Sequence, residues 1–191
     1  MIYLLIASYL IGSISSAVII CKIFDIPDPR TQGSKNPGAT NVLRLGGKKI
    51  AGFVLTFDGL KGATPVIIGH YLEFGLTQLT LITLCAFLGH IFPVFFRFRG
   101  GKGVATYLGG LIAINLLVGL IFSVIWLLVA KVLKTSSLAA LIATALLPFY
   151  FYFITGDIAS TLVIGLISLF IFYTHRGNIK RLIDKEEDVI K

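Results

Sequence analysis

Long apolar stretches, separated by short polar segments, constrain the fold of this chain more than any other feature. A helix needs roughly 20 apolar residues to cross a bilayer, and runs near that length recur from the N-terminus to residue 174. The mean hydropathy of +0.92 and the 56% content of hydrophobic residues exceed those of an ordinary soluble domain. The sequence therefore predicts an all-α polytopic membrane protein, built as a single domain over residues 1–191.

Seven transmembrane helices follow from these apolar runs. Five spans have clear polar boundaries: Ile2–Phe24, Ile50–Leu72, Leu76–Phe96, Ser136–Ile154 and Ala159–Thr174. The remaining stretch, Val104–Val132, is longer than one crossing helix needs and too short for two full ones. Because Asn115 offers a break, we predict a short helix at 104–115 and a second at 117–133. A single tilted helix in this stretch would reduce the count to six.

The distribution of positive charge favours seven spans over six. Fifteen of the seventeen Lys and Arg residues lie in four segments: Asp25–Lys49, Arg97–Lys102, Lys131–Lys134 and His175–Lys191. Loops rich in Lys and Arg stay on the cytoplasmic side of a membrane. Seven spans place all four segments on that side, whereas six would separate the third segment from the fourth. We therefore predict an N-terminus outside, a cytoplasmic C-terminus, and polar loops that form a site at the cytoplasmic face. Basic and acidic residues alternate in the tail, Arg176–Lys191, which we expect to form a short helix at the membrane surface.

Composition also limits the expected partners and cofactors. The net charge of +8 sits in loops beside apolar spans, so membrane lipids and anionic substrates are expected rather than nucleic acid. Cys21 and Cys85 lie inside apolar runs, and no spacing typical of metal ligands occurs. We expect no disulfide, no metal and no cofactor.

Two glycine-rich basic segments carry the first candidate functional residues. In Gly33–Lys48, hydroxyl and amide side chains alternate with small residues and precede a single Arg, whose planar guanidinium can donate two hydrogen bonds to a phosphate. The stretch from Ala39 to Leu45 could form a helical turn whose first N–H groups point at an anion. The candidate ligands here are Ser34, Gly38, Thr40, Asn41 and Arg44.

The second and third candidate segments follow later spans. Lys102 stands among glycines at the predicted start of a helix, where backbone N–H groups and a cation can converge on one anion. We expect Arg97 and Arg99, just before it, to meet lipid phosphates. His175 and Asn178 follow the last span; a histidine there is commonly a cap or a lipid contact, and a phosphate ligand is the alternative.

Three polar residues within the predicted spans have a structural interpretation. Asp58 and Lys61 are separated by three positions, so a local ion pair explains them more simply than a functional role. We interpret His90, near Pro93, as a buried hydrogen-bonding residue. The small residues of the first span are expected to allow close helix packing.

Three motifs in chain order resemble those of the bacterial acyl-phosphate-dependent glycerol-3-phosphate acyltransferases. They read G-S-K-N-P-G-A-T-N-V-L-R from Gly33, G-H-I-F-P-V-F-F-R-F-R-G-G-K-G-V-A-T from Gly89, and H-R-G-N-I-K-R-L from His175. The resemblance implies a seven-helix enzyme of the bacterial inner membrane. It would transfer a fatty acyl group from acyl phosphate to the 1-hydroxyl of glycerol 3-phosphate, giving lysophosphatidic acid and phosphate for phospholipid synthesis.

The same resemblance implies roles for the candidate residues. Glycerol 3-phosphate would be held by Ser34, Arg44, Lys102, His175 and Asn178. Acyl phosphate and its developing oxyanion would be held by Gly38, Thr40, Asn41 and nearby N–H groups. The expected catalytic residues are His175, Asn41 and Lys102. The proton acceptor is either His175 or the phosphate of the substrate, and we favour the substrate.

A membrane carrier for a phosphorylated solute is the alternative function. Such a protein would place polar groups on both faces or at the midplane of the membrane. Here the predicted outer connections contain no Lys or Arg, and the motifs gather on the inner side. The sequence therefore favours the enzyme.

The predicted topology can be tested by labelling single cysteines introduced at loop positions. Cysteines near Gln32, Gly101 and Lys185 should react from the cytoplasm, and one near Thr155 should react from outside, because the basic segments mark the inner side. Accessibility is measured with a membrane-impermeant thiol reagent in cells and in inverted vesicles. Labelling of Gly101 and Lys185 positions from opposite faces would contradict the topology.

Overall fold

The computed structural model of the chain describes residues 1–189, and those residues form α-helices, one short 3-10 helix and no β-strand. The all-α prediction is confirmed. The α-helices are α1 Ile2–Gly12, α2 Ser16–Ile23, α3 Ala39–Tyr71, α4 Leu76–Ile91, α5 Val104–Ile114, α6 Leu116–Leu133, α7 Ser136–Thr155, α8 Ile158–Thr174 and α9 Arg176–Ile183. The 3-10 helix is Val94–Phe96. The last two residues of the predicted tail helix lie outside the described residues.

The lengths of the helices support between four and six membrane spans. Four stretches are long and apolar enough to cross a bilayer: α3, Leu76–Phe96, α6 and α7. Two more spans result if the bent pairs α1–α2 and α8–α9, with bends of 40° and 59°, each count as one. Helix α5 has 11 residues, which is too short to cross alone. The count of seven and the orientation of the termini stay predictions.

The first predicted span is broken rather than continuous. Helix α1 ends at Gly12 and α2 begins at Ser16, so the backbone between them leaves the helical hydrogen-bond pattern. The carbonyl oxygen of Ile14, in this break, accepts a hydrogen bond of 2.8 Å from Lys61 Nζ. A side chain of α3 therefore satisfies a backbone group that no water in the bilayer could reach.

The break predicted at Asn115 is confirmed. Helix α5 ends at Ile114, and α6 begins at Leu116 with Asn115 as its N-cap. The Asn115 side-chain oxygen accepts a hydrogen bond of 3.2 Å from the backbone N–H of Val118. Asparagine is among the residues that best satisfy the free N–H groups of a helix start.

The glycine-rich segments lead directly into helices. Helix α3 begins at Ala39, as the predicted helical turn does, with Gly38 as its N-cap. It continues through a kink at Gly47, where φ is +77°, into the predicted second span. Gly103, with φ of +87°, is the N-cap of α5. Both positions require backbone conformations that glycine adopts without steric cost. The first and second motifs therefore each lie at the N-terminal end of a helix, α3 and α5 respectively.

Glycines also allow the helices to touch backbone to backbone. Helix α3 packs on α5, and α1 packs on α4. A Cβ at Gly62 would overlap the carbonyl oxygen of Thr106, and one at Gly12 would overlap that of Ala86. Such close approach between membrane helices depends on small residues at the interface. The close packing predicted for the first span is confirmed.

Substitution of Gly62 by Ala should destabilise the protein. The added methyl would collide with the α5 backbone, and overpacking of this kind costs about 1–3 kcal/mol. Gly165→Ala is the matched control, because a Cβ on that α8 residue meets no atom within 4 Å. Thermal unfolding in detergent should show a lower midpoint only for Gly62→Ala. Equal midpoints for the two variants would contradict this account of the α3–α5 contact.

Candidate active site

One cavity of about 330 Å³ brings together residues from all three motifs. Its lining includes every candidate ligand named from the sequence: Ser34, Gly38, Thr40, Asn41, Arg44, Lys102, His175 and Asn178. These residues come from the start of α3, the loop before α5, and the junction of α8 with α9. Among the described residues, Arg97 and Arg99 are not part of this lining. The fold therefore joins three distant segments into one polar site.

The helices supply an apolar section of the same cavity. Side chains from α3, α5, α6 and α7 form it: Leu55, Val104, Leu108, Phe122, Trp126, Leu127 and Ala140. Leu55 and Leu127 are 52% and 59% exposed, so this section reaches the outer surface of the helical bundle. The cavity is thus polar where loops line it and apolar where helices line it.

Asn41 holds the first loop against the start of α3. Its side chain is buried, and its Oδ1 accepts a 2.9 Å hydrogen bond from the backbone N–H of Ser34. Its Nδ2 donates to the carbonyl oxygens of Pro29 and Gln32, at 2.9 and 3.0 Å. Both ends of the amide are therefore engaged by the loop backbone. This arrangement fixes the positions of Ser34 and of the first turn of α3.

Lys102 lies between Gly101 and Gly103 and reaches across to the third motif. Its Nζ donates a hydrogen bond to Asn178 Oδ1. Burial lowers the pKa of Lys102 to about 8, although the nearby carboxylate of Glu187 opposes this change and Arg181 and Arg44 add to it. The ammonium group is therefore a buried cation placed beside other cations, an arrangement that favours the binding of an anion.

His175 is buried at the end of α8 and is neutral at pH 7. Its Nδ1 lies 2.8 Å from the carbonyl oxygen of Ile171, and a carbonyl can only accept, so Nδ1 carries the proton. Burial, together with the charge of Lys102, lowers the pKa of His175 to about 4. Its Nε2 is therefore an acceptor, and a donor role toward phosphate would require protonation of the imidazole when the ligand binds.

Residues of the C-terminal tail complete the polar lining, and the sequence interpretation missed them. Glu187 accepts hydrogen bonds from Ser137 Oγ at 2.7 Å, Asn178 Nδ2 at 2.5 Å and Arg181 Nε at 2.7 Å. Burial alone would raise the pKa of Glu187, but these hydrogen bonds and the charge of Arg181 hold it below its ordinary value. Asp188 lies 3.0 Å from Arg44 Nη1 in an exposed ion pair.

The sequence predicts for the tail only a charged helix at the membrane surface. Helix α9 confirms the helix, but the tail then continues back to the cavity after Ile183. The sequence contains only a weak signal for this contact. Asn178 and Arg181 are three positions apart and therefore lie on one face of α9. In the structure both donate hydrogen bonds to the carboxylate of Glu187.

A buried ion pair of α3 reaches the cavity through its carboxylate. Lys61 Nζ lies 2.8 Å from Asp58 Oδ1, which confirms the predicted ion pair. The same oxygen accepts a hydrogen bond from Ser16 Oγ and lies 3.6 Å from His90 Nδ1. Asp58 and His90 both line the cavity, a placement that the interpretation from sequence did not foresee.

The site suits phosphate compounds that carry an apolar chain. Cationic side chains and helix-start N–H groups surround its polar part, and both kinds of group bind phosphate. In residues 1–189 no group of three or more His, Cys, Asp or Glu side chains is placed to hold a metal ion. The chemistry that this lining supports is therefore anion binding beside an apolar groove.

Comparisons with known proteins agree with the motifs. Residues 2–185 match the family described as "Glycerol-3-phosphate acyltransferase". A protein of that name from Ruthia magnifica subsp. Calyptogena magnifica is 62% identical over 189 residues, which cover 99% of this chain and 96% of the relative. One from Legionella pneumophila strain Philadelphia 1 is 47% identical, over 100% of this chain and 69% of the relative.

Two crystal structures share the fold. Both are of PlsY, an integral membrane glycerol 3-phosphate acyltransferase, in its glycerol 3-phosphate form and its lysophosphatidic acid form. The first has a TM-score of 0.94 and 37% identity, and the second 0.91 and 36%; both cover 100% of this chain and 95% of the solved one. The chain is an integral membrane acyltransferase of phospholipid synthesis, and it belongs to the glycerol-3-phosphate acyltransferase family.

Proposed function

We propose that the protein transfers a fatty acyl group from acyl phosphate to the 1-hydroxyl of glycerol 3-phosphate, releasing lysophosphatidic acid and phosphate. One observation carries this proposal: all eight candidate ligands line a single cavity that also has an apolar section formed by the helices. Both proposed substrates contain phosphate, and one also contains an acyl chain. The two kinds of lining match these two parts.

We propose that glycerol 3-phosphate binds where the three motifs meet. Lys102, Arg44 and Ser34 would hold its phosphate, since charge-assisted hydrogen bonds favour a dianion. Asn178 is held by Lys102 and Glu187, so its amide has a fixed orientation beside this position. His175 would accept a hydrogen bond at Nε2 from a hydroxyl of the glycerol. The family relative solved in a glycerol 3-phosphate form supports this choice of substrate.

Acyl phosphate would lie with its phosphate at the start of α3. Gly38 and Thr40 stand there, and the first N–H groups of a helix attract anions. The acyl chain would follow the apolar side chains of α5 and α6 toward the surface of the bundle. Asn41 would act indirectly. Its side-chain amide binds the backbone of the loop and so fixes the position of the loop relative to the start of α3.

The proposed reaction needs no covalent intermediate with the enzyme. The 1-hydroxyl oxygen attacks the carbonyl carbon of acyl phosphate, an ester bond forms, and the bond between the acyl carbon and the phosphate oxygen breaks. The leaving phosphate takes that electron pair. Placing the two reactants side by side supplies much of the rate, and N–H groups near Gly38 stabilise the negative charge on the carbonyl oxygen.

We favour a phosphate group of the bound substrates, rather than His175, as the acceptor of the proton that the 1-hydroxyl group loses. With a pKa of about 4, His175 is a weak base at neutral pH, although its Nε2 is correctly an acceptor for a hydroxyl group. A general base works best when its pKa is near the working pH. We therefore assign His175 to binding and orientation, with general-base catalysis by His175 as the alternative.

We further propose that the chain is one domain with seven spans in the bacterial inner membrane, its N-terminus outside and its C-terminus in the cytoplasm. The short helix α5 would form the seventh span together with the loop before it. Two facts support this orientation. The candidate ligands of all three motifs belong to basic segments, and they line one cavity. Soluble glycerol 3-phosphate would then enter from the cytoplasm.

The donor is tested with purified protein. Incubation with acyl phosphate and glycerol 3-phosphate should produce phosphate and lysophosphatidic acid in equal amounts, whereas acyl-CoA should support far less turnover. The reason is that a phosphate leaving group fits the anion ligands of the cavity. Heat-inactivated protein is the control for chemical hydrolysis of the donor. Equally efficient turnover with acyl-CoA would contradict the proposed donor.

Variants of the site should separate binding from base catalysis. Lys102→Ala and Arg44→Ala should each raise the KM for glycerol 3-phosphate about 10- to 100-fold, because each removes a charge-assisted contact of about 1.5–3 kcal/mol. His175→Asn should retain turnover at saturating substrate. Arg97→Ala, outside the cavity lining, is the matched control for loss of a loop cation.

Steady-state kinetics also measure the alternative role of His175. If His175 is the general base, kcat should fall by about 10² to 10⁴ in His175→Asn, with no rescue at high substrate concentration. That pattern would replace the substrate-assisted route with base catalysis by His175.

A further inference from the structure

His90 supports the glycine-rich loop that carries Lys102. It lies in the last turn of α4 and is buried, and its backbone oxygen accepts a hydrogen bond of 3.2 Å from the N–H of Gly101. A Cβ at Gly100 would overlap that same oxygen, and one at Gly101 would overlap the imidazole Nε2. The loop therefore rests on both the backbone and the ring of His90.

The His90 ring also lies near the first motif. The point where a Gly101 Cβ would stand lies 3.1 Å from the carbonyl oxygen of Pro37, as well as against the His90 ring. Pro37 precedes Gly38, the N-cap of α3. The imidazole thus lies beside the place where the first and second glycine-rich segments approach each other, in the lining of the cavity that both of them share.

A buried charge cluster faces the ring from its Nδ1 side. Asp58 Oδ1 lies 3.6 Å from His90 Nδ1, and Nδ1 has no hydrogen-bond partner in the described residues. The same carboxylate oxygen is held by Lys61 Nζ at 2.8 Å and by Ser16 Oγ. Each of these four side chains is at most 8% exposed.

The location of this cluster indicates a function beyond packing. Charged groups inside a membrane protein are costly, and apolar side chains would pack helices equally well or better. Glycine contacts already bring α1 to α4 and α3 to α5 without any charge. The cluster instead lies under the loop, with Asp58 and His90 in the same cavity lining as Lys102.

We propose that Asp58, Lys61 and His90 are positioning residues for the acyl transfer: they hold the Gly100–Gly103 loop so that Lys102 meets the phosphate of glycerol 3-phosphate. This inference rests on the proposed function, in which Lys102 binds that phosphate. Asp58 orients the imidazole, Lys61 and Ser16 hold the carboxylate, and the ring and carbonyl of His90 hold the loop.

The inference predicts a specific kinetic pattern for Asp58→Asn and His90→Gln. Both variants keep the size of the side chain while they change the charge or the ring. The KM for glycerol 3-phosphate should rise about 10-fold, the result of weakening one charge-assisted contact. The KM for acyl phosphate should stay unchanged, because hydrogen bonds of Asn41 separately hold the first loop against the start of α3. A defect that is only structural would change both constants or lower the amount of active protein.

A double-mutant cycle tests whether the cluster acts through Lys102. In a Lys102→Met background, Asp58→Asn and His90→Gln should cause no further rise in the KM for glycerol 3-phosphate. Thr80→Val is the matched control: Thr80 is also buried in α4, and its hydroxyl binds only the carbonyl of Thr77 in its own helix. This control should leave both KM values unchanged.

A loop variant provides a second measurement that leaves the buried charges intact. Gly101→Ala places a methyl against the His90 ring and should reproduce the selective rise in the KM for glycerol 3-phosphate, even if Asp58→Asn does not fold. Additive effects in the Lys102→Met background, or equal changes in both KM values, would overturn the inference. If Lys102→Met itself leaves the KM unchanged, the assigned role of Lys102 is wrong, and a failure of the proposed function is thereby distinguished from a failure of the cluster alone.

Discussion

Repulsion among the cations that meet at one cavity is the constraint on which the rest of the structure depends. Lys102, Arg44 and Arg181 all line it, and the two arginines add to the burial that lowers the pKa of Lys102 to about 8. Carboxylates of the tail offset this repulsion: Glu187 binds Arg181, and Asp188 binds Arg44. A phosphate dianion would reduce this repulsion further, and the site therefore favours the binding of an anion.

The apolar helices make this arrangement possible and also limit it. Polar groups in the bilayer must find partners within the protein, and the structure meets this requirement with hydrogen bonds from side chains to backbone groups. Asn115 caps α6, and Lys61 binds the free carbonyl of Ile14. Glycines let the helices approach until backbones touch, which leaves the larger side chains of α5 and α6 to shape the groove. The same helices therefore form the apolar groove and hold the loops that carry the polar ligands.

Much of this could be predicted from the sequence, because the governing signals are local. Apolar runs, the break at Asn115 and the turn at Gly38 are each readable within a few residues. The eight candidate ligands also share a cavity, and all of them belong to basic segments that the sequence predicts to lie on one side of the membrane. The bend between α1 and α2 and the contacts of Glu187 and His90 were missed, because they depend on long-range partners: Lys61 is 47 positions from Ile14, and Ser137 is 50 from Glu187. A single sequence carries no signal for such distances.

The central claim is that one cavity holds both phosphates. A crystal structure with glycerol 3-phosphate and a non-hydrolysable acyl phosphonate bound together tests it most directly. The account predicts the glycerol phosphate within hydrogen-bond distance of Lys102 and Arg44, the phosphonate at the start of α3, and the acyl chain along α5 and α6. A phosphate or phosphonate group bound outside this cavity, or an acyl chain lying outside the groove, would contradict the account.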